Sequence, residues 1–404
     1  MRRAKAALSV VLLAVLAGAG CSSPPAAPPP PPAPIIASHN FGDVLSAENL
    51  SAFDPLLAPI ATAQRFIYAS RSGINDSTAH VGGLLFVPKG QVPEGGWPLV
   101  AFGHTVTGTL PGCGPSLSPS QVNSAPAVQQ LLQAGYGVVM SDYQGLATID
   151  KARDGDQGTF HPFLDSTTAG YNLIDSVRAA RTLTAASDRW LAFGIGQGGQ
   201  AAWAANELNE NQGQGMTLLG TVAVSPVADI NGLADGAEAG TLHPVQRLDL
   251  LAYLASLKST YGTDFNLDDF RSAAAQQKWD ALLACQGTTP EQRAALANQI
   301  GPDDLRPHSP AATAILRGYL QKTSLPQGPT DAPMLVMYSG NDPLIPPAWT
   351  EKALDRACKM GDVIQIRRLA DDAPDQLDMT EALDWMSQRV NGAPAPNDCA
   401  VHTP

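Results

Sequence analysis

The chain reads as an α/β protein: a mainly parallel sheet with helices on both faces and an inserted helical cap. Three observations predict this class. Apolar runs of strand length alternate with helix-length segments along most of the chain. Several of those runs are unbroken rather than alternating, as expected of parallel strands covered on both sides. One stretch of about a hundred residues, 228–328, keeps helical periodicity and lacks a convincing strand.

Taken in order, strands are expected at 65–70, 80–87, 98–103, 137–141, 190–194, 218–225, 333–339 and 363–368, and antiparallel pairing fits the first of them. Helices are expected at 125–134, closed by Gly135, and at 166–183, 199–208, 348–360 and 379–390. Inside the insertion the helical patterns are 244–258, 267–283, 289–300 and 310–321, separated by Gly and Pro. The expected division is a core of 39–227 and 329–404 with a cap of 228–328. No internal repeat is present.

The N-terminus carries a different signal. Arg2, Arg3 and Lys5 precede an apolar run at 6–16 and small residues at 17–20, which together describe an export signal over residues 1–20. The run is too short and wrongly flanked to span a membrane. Cys21 at its end resembles the lipidated cysteine of a bacterial lipobox, with Gly18 departing from the usual aliphatic residue. Residues 22–34 are nearly all Ser, Pro and Ala, so 21–38 should be a stiff spacer, with folded structure beginning near 35–40.

Loss of the leader's three basic residues takes the formal charge from −12 to −15. An acidic body of this kind should repel nucleic acid and anionic membrane surfaces, which leaves Cys21 as the expected membrane link. Cys113, Cys285, Cys358 and Cys399 form an even set, favouring two disulfides in an exported chain. Cys113 with Cys285 and Cys358 with Cys399 is the expected pairing; the other two connectivities stay open.

The chemistry centres on Gly194-Ile195-Gly196-Gln197-Gly198-Gly199. It matches G-x-S-x-G, the sharp strand-to-helix turn that presents a nucleophilic serine, except that Gly196 holds the serine's position. Glycine relieves the backbone strain of such a turn and removes the attacking oxygen. The same residues fit G-x-G-x-x-G, but no acidic residue follows at the spacing a dinucleotide site needs.

A triad acid belongs in the loop after a late strand, and Asp342 stands there in Gly340-Asn341-Asp342-Pro343; an ordinary turn residue is the competing reading. A histidine belongs after the last strand, yet 369–378 contains none, and only His402 follows Asp342. His104 is expected to be structural, with the N–H groups of Thr105 or Val106 and of Gln197 as oxyanion donors. Ser141 and Ser225 lie at strand ends with no histidine placed beside them. No cysteine or histidine spacing points to a metal, and no cofactor is expected.

Together, 102–108 followed by Cys113, Ser141-Asp142-Tyr143-Gln144-Gly145, His161-Pro162-Phe163, Asp175-Ser176-Val177-Arg178, the elbow and Gly340-Asn341-Asp342 resemble the secretory lipases of the α/β-hydrolase fold. The resemblance runs from about Asp43 to Cys399 and is weakest in the cap. It implies hydrolysis of carboxylic esters, acylglycerols included, with the acyl chain under the cap. By position it matches Asp342 to the acid, Gln197 to an oxyanion donor and Gly196 to the serine. Thr105 departs from the family's common glycine. With two triad members missing, the expectation is a lipoprotein that binds an apolar lipid, an ester or a protein partner; the alternative is an active esterase with an unrecognised nucleophile.

Overall fold

The computed structural model describes residues 40–119, 124–147, 159–285, 290–369 and 379–402, all within one unit spanning His39–Pro404. The leader, Cys21, the spacer and the histidine-free loop at 370–378 lie outside the described residues.

Nine strands form one sheet: β1 (Val44–Asn49), β2 (Ala61–Arg71), β3 (Thr78–Pro88), β4 (Trp97–Gly103), β5 (Gly137–Ser141), β6 (Ala186–Ile195), β7 (Thr217–Val224), β8 (Met334–Ser339) and β9 (Ile364–Leu369). Their order is β1-β2-β3-β5-β4-β6-β7-β8-β9. Pairing is antiparallel from β1 through β3 to β5, and parallel from β5 onward. This is the expected mainly parallel sheet with an antiparallel start.

Period-two side-chain alternation explains why the central runs are continuously apolar. On β4, Val100 and Phe102 pack toward α1 (Ala125–Gln133) and α10 (Met379–Val390). Leu99 and Ala101, between them, pack on the other face against α2 (Ser166–Leu183) and α3 (Gln197–Gln212). Beyond β7, α9 (Pro347–Met360) continues that second layer, burying Ala353 and Leu354 against Met334 and Val336.

Between β7 and β8 the described residues form α4 (Gly232–Ala239), α5 (Pro244–Tyr261), α6 (Ala273–Leu283), α7 (Pro290–Ala297) and α8 (Pro310–Thr323), and no strand. Five consecutive residues of α5, Leu250 to Leu254, are buried, so it is apolar nearly all round and sits at the centre of this layer.

Three local expectations change. β1 had no apolar period to reveal it, because its last four residues are exposed and are placed by pairing with β2. The short α4 was also unforeseen. The single helix expected at 267–283 is broken into a 3₁₀ turn, Leu267–Phe270, and α6. The break forms where Ser272 caps α6, accepting from Ala275 N–H at 3.0 Å and donating to Asp304 at 2.6 Å.

Cys113–Cys285 joins the loop after β4 to the residue beyond α6, across 172 positions of sequence. Cys358–Cys399 staples the C-terminal tail to α9. Asp398 then covers the free edge of β9: its N–H donates to Ile364 O at 2.7 Å and its carboxylate accepts from Ile366 N–H at 2.8 Å. His402, three residues beyond Cys399, donates its backbone N–H to Asp398 O at 2.9 Å.

Candidate functional site

β6 ends at Ile195 and α3 begins at Gln197, so one residue makes the whole reversal. That residue is Gly196, at φ 59° and ψ −116°. Its N–H donates to Val224 O at 2.9 Å, and its carbonyl accepts from Gln200 N–H at 3.1 Å and Val227 N–H at 3.2 Å. The sharpness comes from its neighbours. A Cβ on Gly194 would lie 2.0 Å from Gly198 O, and one on Gly198 would lie 1.9 Å from Gly103 O. At Gly196 a Cβ would meet nothing within 4 Å. Glycine is thus obligatory at 194 and 198 for contact reasons, whereas at 196 the left-handed backbone alone favours it.

Above the turn, under the inserted helices, lies a cavity of about 210 Å³. Gly196, Gln197, Thr105, Val106 and Asp342 all line it, although they come from the ends of three different strands. Phe163, Ile230, Leu233, Ile345 and Trp349 make its walls largely apolar.

Asp342, 7% exposed, uses one carboxylate oxygen to accept from Leu344 N–H at 2.8 Å and Ile345 N–H at 3.0 Å. It is therefore both the turn residue of its loop and a wall of the cavity. Gln246 of α5 donates to Leu344 O at 2.9 Å, tying the inserted helices to that loop. Gln200, in the first turn of α3, donates to Leu164 O and Thr323 O at 3.2 and 3.3 Å, a second tie between the elbow and the insertion.

No described histidine lines the cavity. His104 is buried behind Thr105; its Nδ1–H donates to Thr105 O at 2.6 Å, and its ring lies 4.4 Å from that of Tyr143. Burial lowers its pKa to about 4, against the opposing pull of the Thr105 and Asp142 carbonyls. His161 comes closer to the elbow. Its Nδ1 faces Gln144 O at 2.8 Å and so carries the proton, leaving Nε2 to accept from the Gln197 side-chain amide at 3.4 Å. Burial also lowers this imidazole to about 4, so both rings are neutral near pH 7. His402 stands at the β9 edge and is not among the cavity residues.

The loop carrying Thr105 and Val106 is braced from behind. The fully buried Asp142 carboxylate accepts from Ser116 N–H at 2.8 Å and Ser116 Oγ–H at 2.5 Å. Burial pushes it up to about 6 despite those bonds and the nearby Arg65. Ser141 bonds to Tyr68 Oη at 2.7 Å and Tyr143 N–H at 3.0 Å in the same buried layer, away from the cavity.

Ser225, by contrast, lines the cavity beside Gly196. Sequence reasoning noted it at a strand end but had no means of seeing which way it faced. It also missed His161 against Gln197, and the Asp249–Arg293 ion pair at 2.7 Å, which brings α5 and α7 together on the cavity wall. Among the described residues no group of three His, Cys, Asp or Glu could hold a metal ion, and no helix is long and apolar enough to cross a membrane.

Solved structures share this architecture. Candida antarctica lipase A in its closed state superposes with a TM-score of 0.70 at 15% identity, covering 90% of this chain and 87% of that one. The rice cell wall degrading esterase LipA of Xanthomonas oryzae gives 0.69 at 19%, covering 88% and 100%. A putative hydrolase of Legionella pneumophila gives 0.67 at 18%, covering 86% and 98%. At these identities the likeness establishes the α/β-hydrolase fold. No curated protein sequence matches the chain. The family model described as secretory lipase matches residues 119–398, from the loop before α1 through the tail that covers β9. With more than half its length matched, and the elbow, Asp342 and both disulfides inside or bridging that span, the chain belongs to the secretory lipase family.

Proposed function

We propose that this secretory lipase homologue is an exported lipoprotein that binds an apolar lipid, an ester or a protein partner under its cap without hydrolysing it. One observation carries the reading: the strand-to-helix turn keeps its geometry and opens into an apolar cavity, while Gly196 supplies no oxygen and no described histidine reaches the wall. Loss of one triad member costs on the order of 10⁴–10⁶ in rate. In this reading Asp342 is a remnant acid, Gln197, Thr105 and Val106 offer oxyanion-type N–H donors, and 228–328 is the cap. The ester chemistry in the names of the structural neighbours supports an ester-like ligand. Two disulfides support an extracytoplasmic site, with Cys21 as the membrane anchor.

A restoration series tests this. Gly196→Ser, Asp372→His and the double variant are assayed against p-nitrophenyl esters. Turnover in the double variant alone supports a lipase scaffold without its chemistry; ordinary enzyme rates in the unmodified protein overturn it. The second reading, weak hydrolysis from Ser225, is favoured by that residue's place on the wall. It requires an active-site phosphonate to label Ser225.

A further inference from the structure

Resting on the cavity's reading as a binding site, we infer that Ser225 and the first turn of α3 form a cup for the carbonyl oxygen of an uncharged ester head group. The ester is held intact in the space a serine side chain would fill at position 196.

Ser225 follows β7 directly, and the pairing of Ile195 with Val224 sets it next to Gly196. It is 3% exposed, adopts φ 39°, and its backbone N–H donates to Met337 O at 2.7 Å. Its hydroxyl makes no hydrogen bond among the described residues, although it lines the cavity. The hydroxyl keeps access to the cavity and is free to donate to a ligand acceptor there. Beside it, the leading N–H of the 16-residue α3 that reaches the cavity, on Gln197, has no acceptor within the helix and lies at the positive end of its dipole. Gly196, Gln197 and Ser225 line the same cavity, and the space beside Gly196, where an added Cβ meets nothing within 4 Å, is open to a ligand oxygen.

The charges on the wall decide the form of the acceptor. Asp249 is paired with Arg293, which leaves Asp342 as the unbalanced charge, so an anionic head would share an apolar, weakly screened cavity with a carboxylate. A neutral carbonyl takes the donors without that repulsion. At about 210 Å³ the cavity is smaller than the usual pockets for drug-sized ligands, which suits a short ester.

The test is calorimetric titration of the folded full chain with methyl pentanoate, methyl pentyl ether and pentanoate. The first two differ only in the carbonyl oxygen. Both Ser225→Ala and Ser225→Gly are measured, since glycine accepts the positive φ if alanine does not fold. The ester should bind about tenfold more tightly than the ether, and either variant should weaken the ester about three- to tenfold while leaving the ether unchanged. The infrared carbonyl stretch of ¹³C-labelled methyl pentanoate should fall on binding and recover in Ser225→Gly.

Equal binding of ester and ether, or ester affinity indifferent to Ser225, overturns the cup while leaving the binding site standing. Pentanoate tighter than the ester overturns the uncharged head group. Acylation of Ser225, read as a mass increase, overturns intact binding. If none of the three probes binds, the binding reading fails and the cup with it.

Discussion

Replacing Gly196 with serine separates two reasons for a glycine-rich turn. A Cβ at 196 meets nothing within 4 Å, so the substitution introduces no clash. Its penalty is the backbone alone: a side chain held at φ 59° costs about 1–3 kcal/mol. Two residues away the balance reverses. A Cβ on Gly198 would sit 1.9 Å from the carbonyl oxygen of Gly103, a backbone atom on β4 that cannot move without shifting strand from helix. Gly198→Ala should therefore cost more than about 3 kcal/mol or abolish the fold. Urea unfolding followed by circular dichroism reads both, and Gly196→Ser should lower the midpoint with an unchanged slope. The reasoning is refuted if Gly196→Ser loses more than about 4 kcal/mol, or if Gly198→Ala is silent. The same Gly196→Ser protein should remain without esterase activity, because among the described residues no imidazole stands on the wall to take the new hydroxyl's proton.

Further expectations concern groups that hold the site in place. Glu207 of α3 is pushed up to about 8 by burial, which outweighs the N–H bonds from Gln327 and Gly328, so the native state holds its neutral form. A raised folded pKa gives stability that is full below the unfolded value and lost as pH rises through the folded one. Glu207→Gln should therefore keep stability between pH 5 and 9 where the unmodified protein loses on the order of 2–4 kcal/mol, read from urea midpoints across that range. Asp229 behaves oppositely. Burial would raise it, but bonds from Arg356, Asn231 N–H and Lys352 outweigh this and hold it below the usual range, so its contribution is present at neutral pH and lost on acidification. Arg356 also donates to Leu325 O, linking both ends of the inserted helices to α9. Arg356→Ala should cost about 2–4 kcal/mol at pH 7, and the cost should shrink as acidification protonates Asp229; a loss independent of pH would count against the ion pair. Cys285→Ser frees the loop that carries Thr105 and Val106 from the residue after α6. It should cost about 2–5 kcal/mol and raise the Kd for methyl pentanoate; unchanged melting would show that the staple adds nothing.

The sequence by itself determined whatever depends on neighbours along the chain. Unbroken apolar runs marked the central strands and period-3.6 patterning most helices, because the strands from β4 to β8 are covered on both faces by helices. Gly194, Gly196 and Gly198 marked the elbow because the strand-to-helix turn is contiguous in sequence, although the contact that requires Gly198 is with Gly103 on β4. Asp342 was legible as a loop residue for the same reason. The tertiary structure alone decided what those pieces meet. β1 is exposed over its last four residues, and the edge that β2 offers holds that part in the sheet. Gln197, Thr105, Asp342 and Ser225 share one cavity because four parallel strands end on the same side of the sheet. His161 reaches Gln197 from 36 positions away, and Arg293 reaches Asp249 from 44. Such contacts follow from strand order and helix packing, which no periodicity along the chain encodes.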